Sequence, residues 1–233
     1  MGGIFCYIGT QKAPPIVIEG LLKLESRDYD SAGICSVERN KTHIRRSKGK
    51  LENLSRLIAA VPLWGSIAMG HLRTATHGRA SEINAHPHKA GPVVLVHNGT
   101  IDNFQELKSL LQSNDHTFKS ETDSEVIAHL IEQKMYGGSG FEEAVRAALL
   151  ELKGTFSLCL VSETEPGMMI VAVHGSPLFV GCAGNEYFIA SEMQPVLDHT
   201  SEIIVMEDDE MAVINDGLVR ISAIQEESVV KTL

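Results

Sequence analysis

Cysteine is scarce in this chain: 4 in 233 residues, at Cys6, Cys35, Cys159 and Cys182, with no CxxC pair among them. That spacing excludes a disulfide framework and a cysteine-built zinc site. It suits reduced thiols in the cytoplasm, with no metal expected. Aromatic residues make up only 5% of the chain, and Trp64, the single tryptophan, reads as a packing residue. No apolar run approaches the ~18–20 residues needed to cross a bilayer, so no membrane association is expected. A basic region followed by an apolar stretch, the mark of a secretory signal, is missing from the N-terminus. "MGGIFC" opens like a myristoylation signal but puts Cys6 where a serine or threonine is required. Positive charge is also short, since 20 Lys and Arg against 30 Asp and Glu give a formal net charge of −10. Phosphate backbones repel such a surface, and nucleic acid is not an expected partner.

With 43% hydrophobic and 21% charged residues, the chain can bury a substantial core. "GIFCYIG" (3–9) reads as a buried strand, and Pro14-Pro15 open a helix through "IVIEGLLKLESR". "SAGICSVE" and "KTHIRRSKG" read as a hairpin turning at Arg39-Asn40. A helix at "LENLSRLIAAV" and strands at "GSIAMGHLR" and "GPVVLVHNG" follow. Three helices come next, at "NFQELKSLLQ", "DSEVIAHLIEQK" and "FEEAVRAALLEL", with Asp102 and Asp123 as N-caps of the first two. Beyond Gly154 the pattern is all strand. Strands at both ends with helices grouped between them indicate a layered α+β domain, since alternating βαβ units would read differently. Residues 1–222 are read as the domain, and 223–233 as a polar tail or the start of a linker. The basic "RRSKGK" (45–50) reads as a solvated hairpin end.

Polar residues collect where strands give way to turns, at "HLRTATHG", "VHNGT", "SETDSE" and "HGSP". Arginine grips a carboxylate with two parallel hydrogen bonds, aspartate pairs with an ammonium, and an Asn-Gly turn offers N–H donors to a developing oxyanion. Arg73, Asp123 and Asn98-Gly99 together suit an α-amino acid whose side chain ends in an amide.

With those residues in place, the chain resembles the glutaminase domain of the glucosamine-6-phosphate synthase family, the isomerising glutamine–fructose-6-phosphate aminotransferases. These are class II glutamine amidotransferases of the N-terminal-nucleophile hydrolase type. The resemblance rests on "GIFCYIG", "EGLLKLESRDYDSAGI", "HLRTATHGRASEINAHPH", "VHNGTIDN", "SETDSEVIAHLI" and "GSPLFVG", in the family's order and across essentially the whole chain. It implies a four-layer αββα sandwich and a cofactor-free reaction. In the family, an N-terminal cysteine exposed by Met removal attacks the glutamine side-chain amide, with its own α-amine as base. The thioester then releases glutamate, and the ammonia travels to a C-terminal sugar-isomerase domain that aminates fructose 6-phosphate. Carried over, Arg73 holds the substrate carboxylate and Asp123 its ammonium, Thr76 and His77 line the pocket, and Asn98 with Gly99 forms the oxyanion hole.

The departures fall on that machinery. Gly2 occupies the nucleophile position, and Cys6 stands where the family has glycine. Thr74 replaces a gating tryptophan, Leu72 a threonine, and Thr100 an apolar residue; Ser26 and Asp28 alter the family's Tyr-Arg-Gly-Tyr-Asp. Cys6 lies four residues along a strand from Gly2, roughly 13 Å away at about 3.3 Å per residue. Attack needs about 3–3.5 Å. The expectation is a pocket for glutamine or glutamate with impaired catalysis. Two alternatives stay open: an active glutaminase working through Cys6 or a differently processed N-terminus, and a non-enzymatic regulatory or scaffold module.

Overall fold

A computed structural model describes residues 2–25, 29–225 and 229–232, the last four by their backbone alone. Ser26 and Asp28, two of the departures named above, lie outside the described residues. The chain runs through β1 (Gly3–Ile8), α1 (Ala13–Lys23), the hairpin β2 (Ser31–Glu38) and β3 (Lys41–Lys48), α2 (Leu51–Ala60) and β4 (Ile67–Arg73). Next come β5 (His88–Ala90), β6 (Val93–Ile101), α3 (Phe104–Ser113), α4 (Glu125–Tyr136) and α5 (Phe141–Leu149). The remainder is β7 (Gly154–Ser162), β8 (Met169–His174), β9 (Phe179–Ala183), β10 (Glu186–Ala190), α6 (Gln194–Leu197), β11 (Ile203–Val205), β12 (Glu210–Asn215), β13 (Leu218–Ala223) and β14 (Val229–Thr232).

Two seven-stranded antiparallel sheets result, in the orders β11-β9-β10-β1-β4-β2-β3 and β14-β13-β12-β8-β7-β6-β5. Period-2 alternation sorts each strand's side chains between layers. On β1, Ile4, Cys6 and Ile8 face the second sheet, whereas Phe5 and Tyr7 pack under α1 with Val17 and Leu21. On β6, Val94 and Val96 face the first sheet, while Val93 and Leu95 pack under α3–α5 with Ile127, Ile131 and Phe141. Three apolar layers therefore separate four structural ones, the αββα sandwich that the resemblance implied. Each fully buried Leu, Ile, Val or Phe contributes roughly 1.5–3 kcal/mol of transfer free energy to this stack.

The helix starts expected at Asp102 and Asp123 fall one residue later, at Asn103 and Ser124, and neither side chain bonds to its helix. Asp123 instead accepts a hydrogen bond from the Ile101 amide at 2.8 Å, which ties the start of α4 to the end of β6. Trp64 is not core but 52% exposed, with the Lys12 ammonium 3.7 Å above its ring. The "RRSKGK" stretch is partly structural, since Arg46 Nε donates to the Pro87 carbonyl at 2.9 Å. Within residues 223–233, β14 pairs with β13 and adds an edge strand. No helix among the described residues is long and apolar enough to cross a membrane.

Candidate functional site

Neighbouring strands of the first sheet bring Gly2 and Arg73 to one end: β1 and β4 are antiparallel, with Gly3 opposite Leu72. From the facing sheet, β6 brings Asn98 and Gly99 to the same end, and the turn into α4 adds Asp123. A cavity of about 230 Å³ opens there. Gly2, Arg73, Thr74, Thr76, His77, Asn98, Gly99 and Asp123 all line it, so the structure gathers every site residue singled out from the sequence.

Asn98 links the two sheets at the floor. Its Nδ2 donates to the Gly2 carbonyl at 2.7 Å, and its Oδ1 lies 3.0 Å from His71 Nε2. That pattern orients the amide and makes His71 the Nε2–H tautomer, leaving Nδ1 bare. Burial pushes the His71 imidazole down to about 3, so it is neutral at pH 7. Gly99 has φ +139°, and a Cβ there would lie 2.0 Å from the Thr155 carbonyl oxygen; only glycine fits this bend.

Arg73 is 4% exposed. Its NH2 donates to the carbonyls of His77 and Gly78, and its NH1 stands 3.6 Å from Asp30 Oδ1 without a hydrogen bond of its own. Burial lowers its pKa from the ordinary arginine value, with Asp30 and Asp123 opposing that shift. Asp123 Oδ1 lies 3.8 Å from His77 Nδ1, another buried atom without a hydrogen bond. Polar groups this deep normally find partners. The unpaired edges of Arg73, His77 and His71 all belong to residues of the cavity wall, where a polar ligand can satisfy them.

Individual sequence motifs did not single out His71, His86, His97 and Ser124, which also line the cavity. His71 and His86 stack with centroids 4.2 Å apart, and His88 meets His86 edge-on at 4.5 Å. His97 Nδ1 pairs with Ser124 Oγ at 2.8 Å, and Thr122 Oγ1 with His88 Nε2 at 3.1 Å. Burial drives His88 to about 3, His86 well below its ordinary value and His97 downward. The available signal was the run of histidines at 71, 86, 88 and 97, each near a strand end.

Two departures lie away from the cavity. Leu72 is buried under α1, and Cys6 is fully buried between the sheets. Burial and neighbouring Cys159 push the Cys6 thiol well above its ordinary pKa. Reactive thiolates occupy partly exposed, electropositive surroundings, and Cys6 has neither property.

Comparison with known proteins agrees with this geometry. The sequence profile described as "Glutamine amidotransferase domain" matches residues 32–230. The glutamine–fructose-6-phosphate aminotransferase (isomerizing) of Thermococcus kodakarensis is 43% identical over 92% of this chain, and that of Pyrococcus horikoshii is 42% identical over 92%. The chain spans 36% of the length of each. The structure of glutamine phosphoribosylpyrophosphate amidotransferase from B. subtilis, complexed with ADP and GMP, superposes with a TM-score of 0.84 at 28% identity, covering 97% of this chain and 50% of that one. A glutamine aminotransferase class-II domain protein from Silicibacter pomeroyi shares the fold at a TM-score of 0.64 and 16% identity. The chain belongs to the glutamine amidotransferase domain family.

Proposed function

We propose that the cavity binds glutamine, or its product glutamate, and that the chain as written turns glutamine over very slowly. The observation that carries this reading is the juxtaposition at one cavity of Arg73, Asp123 and the Asn98-Gly99 pair with Gly2. Arg73 engages the α-carboxylate and Asp123 the α-ammonium. The side-chain amide then lies toward Asn98 and Gly99, where a developing oxyanion would find its donors. At position 2 there is no side chain to attack it.

Packing supports glycine as the settled occupant of that position. A Cβ on Gly2 would lie 2.5 Å from the Leu72 carbonyl oxygen and 2.7 Å from Asn98 Oδ1. A side chain there has to displace the end of β1 and the amide that holds it. Loss of the nucleophile from a catalytic unit lowers turnover by about 10^6. Were Met1 removed, the Gly2 α-amine, near pKa 7.7–8.0 in ordinary peptides, would be a base with no thiol to deprotonate. Thr74, on the cavity wall where the family carries its gating tryptophan, offers a hydroxyl and little bulk. In a longer protein the ammonia would serve a sugar-isomerase half acting on fructose 6-phosphate, and the free thiols of the chain suit the cytoplasm.

Calorimetric titration with glutamine tests the proposal. Saturable binding is expected, weakened about 10–100-fold by Arg73→Gln, because a charge-assisted contact to the carboxylate contributes about 1.5–3 kcal/mol. Equal affinity in the two proteins, or glutamate release at ordinary enzymatic rates from mass-verified chain, contradicts it.

A further inference from the structure

Where α4 passes the edge strand β5, three side chains that the glutamine site does not use converge on one point. His129 and Glu132 project from the same face of α4, three residues apart, and His116 reaches them from the segment between α3 and α4. His116 Nδ1 is 3.0 Å from His129 Nδ1, and each of these nitrogens is 3.4 Å from Glu132 Oε2. The two imidazole planes are perpendicular, at 89°. A single Nδ1–H can bridge the two rings across 3.0 Å, which leaves Glu132 Oε2 without a proton from either. An Nδ1–H can point at the other nitrogen or at the carboxylate, and 3.4 Å is long for an N–H···O bond. A cation at the centre would meet all three lone pairs at once.

We propose that His116 Nδ1, His129 Nδ1 and Glu132 Oε2 form a divalent transition-metal site, with Zn²⁺ as the natural occupant. Tetrahedral Zn²⁺ with bonds of about 2.0–2.1 Å holds its donors about 3.3 Å apart. The observed 3.0, 3.4 and 3.4 Å bracket that edge. Two imidazoles and a carboxylate suit zinc and its neighbours better than calcium or magnesium, which want mainly oxygen ligands.

The surroundings hold each donor in place. His129 Nε2 has no hydrogen bond, but it faces Glu125 Oε1 at 3.7 Å. Coordination through Nδ1 puts the proton on Nε2, toward that carboxylate, the histidine–carboxylate pairing typical of metal sites. Glu125 is in turn fixed by the Lys119 and Ser120 amides and the Ser120 hydroxyl. Tyr136 donates to Glu132 Oε1 at 3.1 Å, leaving Oε2 for the metal. Phe118 lies against the His129 ring, 4.4 Å between centroids. The remaining coordination position opens on a cavity of about 480 Å³ bordered by Asn114, Thr117 and Tyr136, with room for water. Cysteine spacing, the only metal signal weighed in the sequence, could not report a site built from histidine and glutamate.

The test is a Co²⁺ titration of tag-free, chelator-treated protein, with Zn²⁺ added as competitor. The expected result is one equivalent of Co²⁺ with the visible d–d absorption of a low-coordinate site, displaced by Zn²⁺. His116→Gln and Glu132→Gln should keep the far-UV circular dichroism of the parent and weaken binding by more than about 100-fold, beyond the loss typical of an outer partner. Imidazole NMR of the unaltered chain gives an independent reading, since one equivalent of Zn²⁺ should lock both rings as Nε2–H tautomers. Absence of d–d bands, unchanged imidazole signals, or undiminished binding in both variants would overturn the site.

Discussion

Between the sheets, β4 presents Ile67, Met69, His71 and Arg73 in turn, β6 presents Val94, Val96 and Asn98, and β1 presents Ile8, Cys6 and Ile4, with Gly2 just ahead of it. At one end these rows meet as a dry apolar interior; at the other, two or four residues along, the same rows become a cavity floor of imidazole, amide and guanidinium. The backbone pairing does not change between the two ends. Only side-chain chemistry does. The apolar end supplies burial that holds the strand ends rigid, and the polar end uses that rigidity to keep unpaired groups buried and oriented. Gly2, just ahead of β1, and Cys6 within it carry the contrast: one borders the cavity, the other fills the core.

Acid should separate the two ends most sharply. His71, His86, His88 and His97 are held neutral with pKa values below their unfolded value of about 6.5. Below pH 6.5 the unfolded chain binds protons that the folded chain refuses, so stability is present above that pH and is lost as pH falls. For His71 and His88, whose folded values are about 3, the loss reaches roughly 2 kcal/mol each by pH 5. His86 and His97 add to it. Denaturant melts at pH 7 and pH 5 should differ by at least about 4 kcal/mol; equal stabilities would mean the imidazoles are not buried as described. Cys6 and the apolar end contribute nothing to this slope.

A charge placed in the dry half probes the other side of the comparison. Val96→Asp strands a carboxylate among Val94, Cys159 and Val171 and should cost more than about 3 kcal/mol. Asn98→Asp, two residues along, loses the Nδ2 donor to the Gly2 carbonyl but faces His71, which can take a proton and pair with it, so its cost should be smaller. Denaturation midpoints of the two variants decide the point; equal losses would erase the distinction between the two ends. Smallest of all, Cys6→Ala should cost about 1 kcal/mol for the lost packing and leave glutamine affinity unchanged. A large fall in affinity would place Cys6 in the site after all.

Much of this was legible in the sequence because both signals are local. Short, nearly continuous apolar runs in "IAMGHLR" and "VVLVHNG" read as strands, and the polar residues at their ends mark the site. Arg73, Asn98, Gly99 and Asp123 could be singled out on chemistry alone. What escaped depends on distance along the chain. His71, His86, His88 and His97 become one cluster only when two sheets face each other. His116 and His129 are thirteen residues apart, and meet because a connecting segment folds back on α4. β5 and β14 are short edge strands of three and four residues, defined by their partners more than by their own pattern. Asp123 looked like a helix cap and instead accepts a hydrogen bond from the Ile101 amide at the end of β6, a partner 22 residues away in sequence.

The cavity proposed for glutamine has no attacking atom at position 2. NMR of glutamine labelled with 15N in its side-chain amide, mixed with mass-verified protein, tests both halves at once. Saturable shifts or broadening of the amide resonances are expected on titration, with the amide signal persisting and ammonium accumulating no more than a trace faster than in a protein-free control. Sustained conversion to 15N-ammonium would contradict the missing nucleophile, and amide resonances untouched by the protein would contradict the cavity.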